Sequence, residues 1–175
     1  MKPIEIFRIV FVFAAITAAC FSTSAQSQTG QGAWQRFVSA YSDVFLYLQQ
    51  ERNCCATTGD PLPLMEASIN RIIAKFRAVD ATGIPPGLVK SWKNLRDKHI
   101  AGQEAQRDQV KFLAKVRAEN PTFRISLDRD PRGTLPLSYV SRWDTLVAAE
   151  ARAQSAMNSS VAEMDKAVEK FAPKR

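Results

Sequence analysis

The sequence predicts an all-α protein: an up-down four-helix bundle with two longer C-terminal helices, preceded by a cleaved signal peptide. Three observations predict it. Apolar residues recur at steps of three and four through four long segments. Breaks rich in Pro, Gly or Asn separate those segments, and two-residue alternation is confined to the short run Thr122 to Leu127. The chain opens with a basic residue followed by a brief apolar run, as an export signal does.

Lys2 and Arg8 flank the charged start, interrupted by Glu5, and Ile9 to Cys20 is apolar apart from Thr17. That run is too short to cross roughly 30 Å of hydrocarbon as a helix. Thr23-Ser24-Ala25 before Gln26 has the small-x-small form of a cleavage site, which makes 1–25 the expected signal peptide. Soluble export to the bacterial periplasm or medium is expected. Lipid anchoring at Cys20 is the alternative, but Thr17 stands where a branched aliphatic residue should precede the cysteine. Residues 26–33 then form a flexible N-terminus and 34–175 a single domain with no transmembrane span.

The first helix carries Trp34, Phe37, Tyr41, Val44 and Leu48 on one face. Asp60-Pro61 opens the second, a capping side chain before a proline at the first helical position. Its stripe is Met65, Ile69, Ile72, Phe76 and Val79, and Thr82-Gly83-Ile84-Pro85-Pro86 ends it. The third helix is expected from about Pro86 to Glu119, with Leu88, Trp92, Leu95, His99, Gly102, Gln106, Val110 and Leu113 inward and a candidate bend at Gly102. Asn120-Pro121 stops it, because proline removes a donor and restricts its predecessor. A loop over 121–135 holds Arg124, Asp128, Arg129, Asp130 and Arg132. The last helix, Leu135 to Phe171, places Val140, Trp143, Val147, Glu150, Gln154, Met157, Val161, Met164, Val168 and Phe171 inward. Short links make sequence neighbours antiparallel, hence the up-down bundle.

Composition narrows the function classes. With 46% hydrophobic and 23% charged residues, the chain is an ordinary globular domain and not a disordered one. Three cysteines exclude a disulfide-dense scaffold. A single histidine, no Gly-rich phosphate loop, no paired metal-ligand spacing and no nucleophile elbow argue against an enzyme and against a bound cofactor or metal. Asp128 and Asp130 sit in an Arg-rich loop, where ion pairing is the simpler role than acid–base catalysis. Trp92 and Trp143 lie on inward stripes and are expected to pack rather than stack on a ligand.

Three features remain as candidates. The inward lines of the two long helices turn polar at His99, Gln106, Glu150 and Gln154. An antiparallel pairing brings Gln106 near Glu150 and His99 near Met157, either as a polar pocket or metal site or as a partly solvated stretch of hairpin. Cys54-Cys55 ends the first helix. Neighbouring α carbons, about 3.8 Å apart, are closer than a relaxed disulfide allows. A strained vicinal disulfide, an intermolecular bridge giving a homodimer, and two packed thiols are the readings.

The third feature is charge. The chain carries +7, and removal of 1–25 leaves 22 basic against 16 acidic residues. Residues 71–117 hold eleven basic and four acidic side chains. Lys90, Lys93, Arg96, Arg107, Lys111 and Lys115 share the outer side of the third helix, where Lys93–Asp97 and Asp108–Lys111 pairs are expected to neutralise part of the charge. Such a face, with the 121–135 loop, suits an envelope protein or an anionic envelope surface. Export argues against nucleic acid. The helical plan is similar to the exported cytochromes c-prime and the cradle-shaped periplasmic chaperones. The haem-attachment motif of the first and the Leu-Thr-x-x-Gln repeats of the second are missing, so no residue role carries over.

Overall fold

The structure, a computed structural model, describes residues 28–52, 60–79, 84–125 and 130–171. The expected signal peptide, the lipidation candidate Cys20, the Cys54-Cys55 pair and the loop residues Asp128 and Arg129 lie outside the described residues. Among those described there are four α-helices and no strand: α1 (Gln28–Arg52), α2 (Pro61–Ala78), α3 (Val89–Glu119) and α4 (Leu137–Phe171). None is long and apolar enough to cross a membrane.

Each boundary has a local cause. Asp60 caps α2 by accepting from the Leu62 N–H at 3.1 Å, with Pro61 fitting the first turn. Pro86–Leu88 form a 3-10 turn that leads into α3. α3 ends at Asn120, whose backbone N–H and side-chain amide both donate to the Val116 carbonyl before Pro121 closes the helix. Asp130 caps a second 3-10 turn, Pro131–Gly133. The helix expected from Leu135 starts at Leu137 instead, because Pro136 holds Leu135 out of helical geometry. At the other end of the chain, α1 starts at Gln28, so most of the expected flexible N-terminus is helical.

Side-chain contacts join neighbouring helices. Glu51 of α1 meets Arg71 of α2, Glu66 of α2 meets Lys111 of α3, and Arg77 meets Glu104. Asn94 of α3 meets Glu163 of α4, and Tyr139 of α4 meets Glu119 of α3. At the end of the hairpin the Phe171 ring covers Gly87 so closely that a β carbon there would lie 2.6 Å from it. Glycine is what permits that approach.

The apolar stripes bury in three groups. Trp34, Phe37, Tyr41 and Phe45 of α1 pack with Leu88 of the 3-10 turn, Trp92 and Leu95 of α3 and Met164 of α4. At the other end, Leu62, Ile69 and Ile73 of α2 pack with Val110, Leu113 and Val116 of α3 and with Trp143. Phe123 and Leu135, from the α3–α4 connection, complete that second group. Val44, Ile72 and Phe76 join α1 to α2 between them. The α4 stripe needs correction. Trp143 and Met164 are buried as expected and Val161 packs partly buried against the first group, but Leu146 and Ser160 are buried as well and Val147 is not. Val147 and Phe171 are 41% and 44% exposed. Trp143 and Met164 lie on the expected line and Leu146 and Ser160 one residue to its side, so the buried positions follow the 143–146–160–164 pattern of a seven-residue repeat.

Trp92 is fully buried and is ringed edge-on by Phe37 and Tyr41. Trp92→Ala should therefore lower unfolding stability by about 3–5 kcal/mol, measured by urea denaturation followed by far-UV circular dichroism.

Candidate functional site

The polar layer between α3 and α4 exists, with different members from those expected. Gln106 donates to Glu150 Oε1 at 3.2 Å, and Gln109, one turn on, donates to Glu150 Oε2 at 2.7 Å. Gln109 Nε2 also lies 3.4 Å from the Leu146 carbonyl. Both carboxylate oxygens thus have amide donors from the facing helix, which is what a half-buried carboxylate needs. Gln109 was missed because it stands one residue off the inward line.

His99 and Gln154 do not join this layer. Gln154 donates along its own helix to Asn158. His99 turns toward α1 and α2, where its ring meets Phe45 and Phe76, and its Nδ1 bonds the Leu95 carbonyl at 3.0 Å. Burial, partly offset by that bond, holds its pKa below the ordinary value. α3 runs unbroken through Gly102, and a methyl there would meet Met157 Sδ at 4.0 Å, an ordinary contact. No group of three metal-ligating side chains exists among the described residues. The arrangement can hold two helices in register; the described residues assemble no nucleophile–base pair there.

The cationic residues of 71–117 fall into two sets. One set cements the helices. Arg77 pairs with Glu104 at 3.1 Å, Lys111 with Glu66 at 3.5 Å, and Arg107 reaches Asn70 at 3.2 Å, all across the α2–α3 seam. Arg117 grips Asp60 through both guanidinium nitrogens, and with the Leu62 N–H it holds that carboxyl below its usual range. Arg107 and Lys111 were expected on the outer side; α2 lies along that flank and supplies their partners. Arg96 pairs with its neighbour Asp97 and Lys115 with Glu119. The expected Lys93–Asp97 and Asp108–Lys111 pairs are replaced by these.

The other set is free of acids. Lys90, Lys93 and Lys98 are exposed near the start of α3 and have no carboxylate within 4 Å among the described residues. A surface hollow of about 420 Å³ lies beside them, lined by Arg77, Arg96, Asp97, Ile100, Ala101 and Glu104. Its charges neutralise one another in the two ion pairs just described, so it presents no net demand for an ion. In the 121–135 loop, Arg132 pairs with Asp144 at 2.9 Å, and Asp130 accepts from the Arg132 N–H and the Trp143 indole. Arg124 donates to the Pro121 carbonyl. The described ends of that loop are anchored on α4 and in the core.

No family model matches the chain, and no curated protein and no solved structure matches it either.

Two tests follow from these pairs. Glu150→Ala leaves the Gln106 and Gln109 amides without their acceptor and should cost about 1 kcal/mol by chemical denaturation. Gln154→Ala should stay within about 0.5 kcal/mol of the parent. Arg71 bonds both Glu51 oxygens, at 2.9 and 2.8 Å, and holds that carboxyl down to about 2 from 4.5. A carboxyl lowered by folding stabilises the fold above its unfolded value, so this contribution is lost as pH falls from 4.5 toward 2. Thermal melts of the parent and Glu51→Gln should differ at neutral pH and converge through that window.

Proposed function

We propose that this chain is a non-enzymatic interaction module of the bacterial periplasm or cell envelope. In this reading 1–25 is removed on export, the helices form an up-down bundle, and the start of α3 meets an anionic envelope surface. The observation that carries it is the contrast within the basic segment. Arg77, Arg96, Arg107, Lys111, Lys115 and Arg117 have acid or amide partners, whereas exposed Lys90, Lys93 and Lys98 have no acid partner among the described residues. Exposed lysines without internal partners keep their full field for an external anion.

The basic opening and the short Ile9–Cys20 run support the export step. The self-satisfied Glu150 layer and the lone His99 give no support to a metal or small-ligand reading.

The test is co-sedimentation with vesicles containing phosphatidylglycerol and with neutral vesicles of phosphatidylcholine. Binding should be selective for the anionic vesicles and weaken as salt rises. Lys90→Glu, Lys93→Glu and Lys98→Glu together should reduce it at least about tenfold, each lysine near such a surface being worth about 1 kcal/mol. Circular dichroism should show the variant as helical as the parent. Equal binding by parent and variant overturns the reading, as does a parent with no preference for anionic vesicles.

A further inference from the structure

His99 is the chain's single histidine, and it is 4% exposed. α1 presents the Phe45 ring to it edge-on at 5.9 Å, and α2 presents Phe76 at 5.0 Å. On its own helix, the Leu95 carbonyl lies 3.0 Å from Nδ1. A carbonyl can only accept, so Nδ1 carries the proton and the neutral ring has a bare Nε2. Protonation therefore adds a second N–H and a full charge to a ring that packs against Phe45 and Phe76.

Lys98, the neighbour in sequence, is an exposed cation without an acid among the described residues, and the groups on the surrounding elements pair elsewhere. On α1, Tyr41 packs tilted against Phe45 and feels Asp165 of α4. On α2, Lys75 lies over Tyr47 and Arg77 pairs with Glu104, and on α3 Arg96 pairs with Asp97. Among the described residues no carboxylate lies within ion-pair distance of the imidazole to balance a charge there. Burial, the larger influence, lowers the histidine's pKa, and the Leu95 bond raises it. A group lowered by folding stabilises the fold above its ordinary value of 6.5 and withdraws that support as pH falls below it.

The three rings meet where α1 crosses onto α2 and α3. α1 is also tied to α2 by Glu51, through Arg71 and Ser68, and by Val44 against Ile72 and Phe76, and its aromatic face packs on α3 and α4, while α3 and α4 are pinned along their length by the Glu150 layer, Asn94–Glu163 and Tyr139–Glu119. We propose that His99 is an acid-sensitive latch. Protonation at Nε2 drives the imidazolium out from between Phe45 and Phe76 and loosens α1 where Phe45 packs, while α3 and α4 remain paired.

Amide hydrogen exchange on the whole chain tests this at about pH 7 and about pH 5, the range in which a histidine changes charge. After correction for intrinsic exchange rates, α1 amides should lose at least about tenfold in protection at the lower pH, and those in the middle of α3 and α4 should keep theirs. Glu51 stays ionised across this range, so its ion pair does not contribute. In His99→Phe, and in His99→Gln should the first variant fail to fold, the loss in α1 should vanish. The His99 Cε1 proton resonance of the parent, followed by NMR, should titrate together with the loss. Four outcomes overturn the latch: an α1 that keeps its protection, the same loss in the variant, simultaneous loss from all four helices, or a ring that stays neutral while α1 opens.

Discussion

The fold depends on one constraint: α3 must be covered along a line from Trp92 to Val116 that no single short helix can cover. At 1.5 Å per residue, α3 is roughly 46 Å long, against about 27 Å for α2. The chain meets this by dividing the work. α1 covers the first turns of α3 with aromatic side chains, α2 covers the last turns with aliphatic ones, and α4 runs the whole length on the other flank. Where the two short helices hand over, around His99 to Gln106, the lining of α3 changes character. Rings close over His99 on one side, and amides meet Glu150 on the other.

Charge follows the same geometry. A basic third helix beside a second helix that offers Asp60, Glu66 and Asn70 becomes a seam rather than a bare face. Surface pairs of this kind are individually weak, typically no more than about 1 kcal/mol each, and their effect here is registry. They fix how far α2 slides along α3. The cations left over gather at the end of α3 that α2 does not reach with an acid.

Much of this was legible in the sequence, for reasons that can be named. Asp60-Pro61, Pro85-Pro86 and Asn120-Pro121 mark boundaries because proline acts locally, and the helices begin and end within a few residues of them. The buried lines of α1, α2 and α3 follow from periodicity alone, apart from neighbours such as Phe45, Ile73 and Val116 that widen them. In α4 the pattern was ambiguous. Trp143, Glu150, Met157 and Met164 recur every seven residues and belong to two adjacent phases, and only the packing chooses Leu146 over Val147. The site was harder for a related reason. A helical wheel says which side of α3 is inward but not that two different neighbours share that side. His99 and Gln106, two turns apart on one line, therefore face α1–α2 and α4 respectively. The same blindness hid the partners of Arg107 and Lys111, because α2 lies alongside them.

The two main core groups also differ in when a growing chain can complete them. The second draws only on residues between Leu62 and Trp143, a continuous stretch that can close as soon as it has emerged. The first joins Trp34 to Met164, near opposite ends of the polypeptide. Until the last helix arrives, the aromatic face of the first has only α3 to lean on, and its remaining side stays wet. Vectorial emergence thus leaves the most aromatic surface of the molecule uncovered longest, the circumstance in which a nascent chain is most exposed to aggregation or to capture by a holding factor.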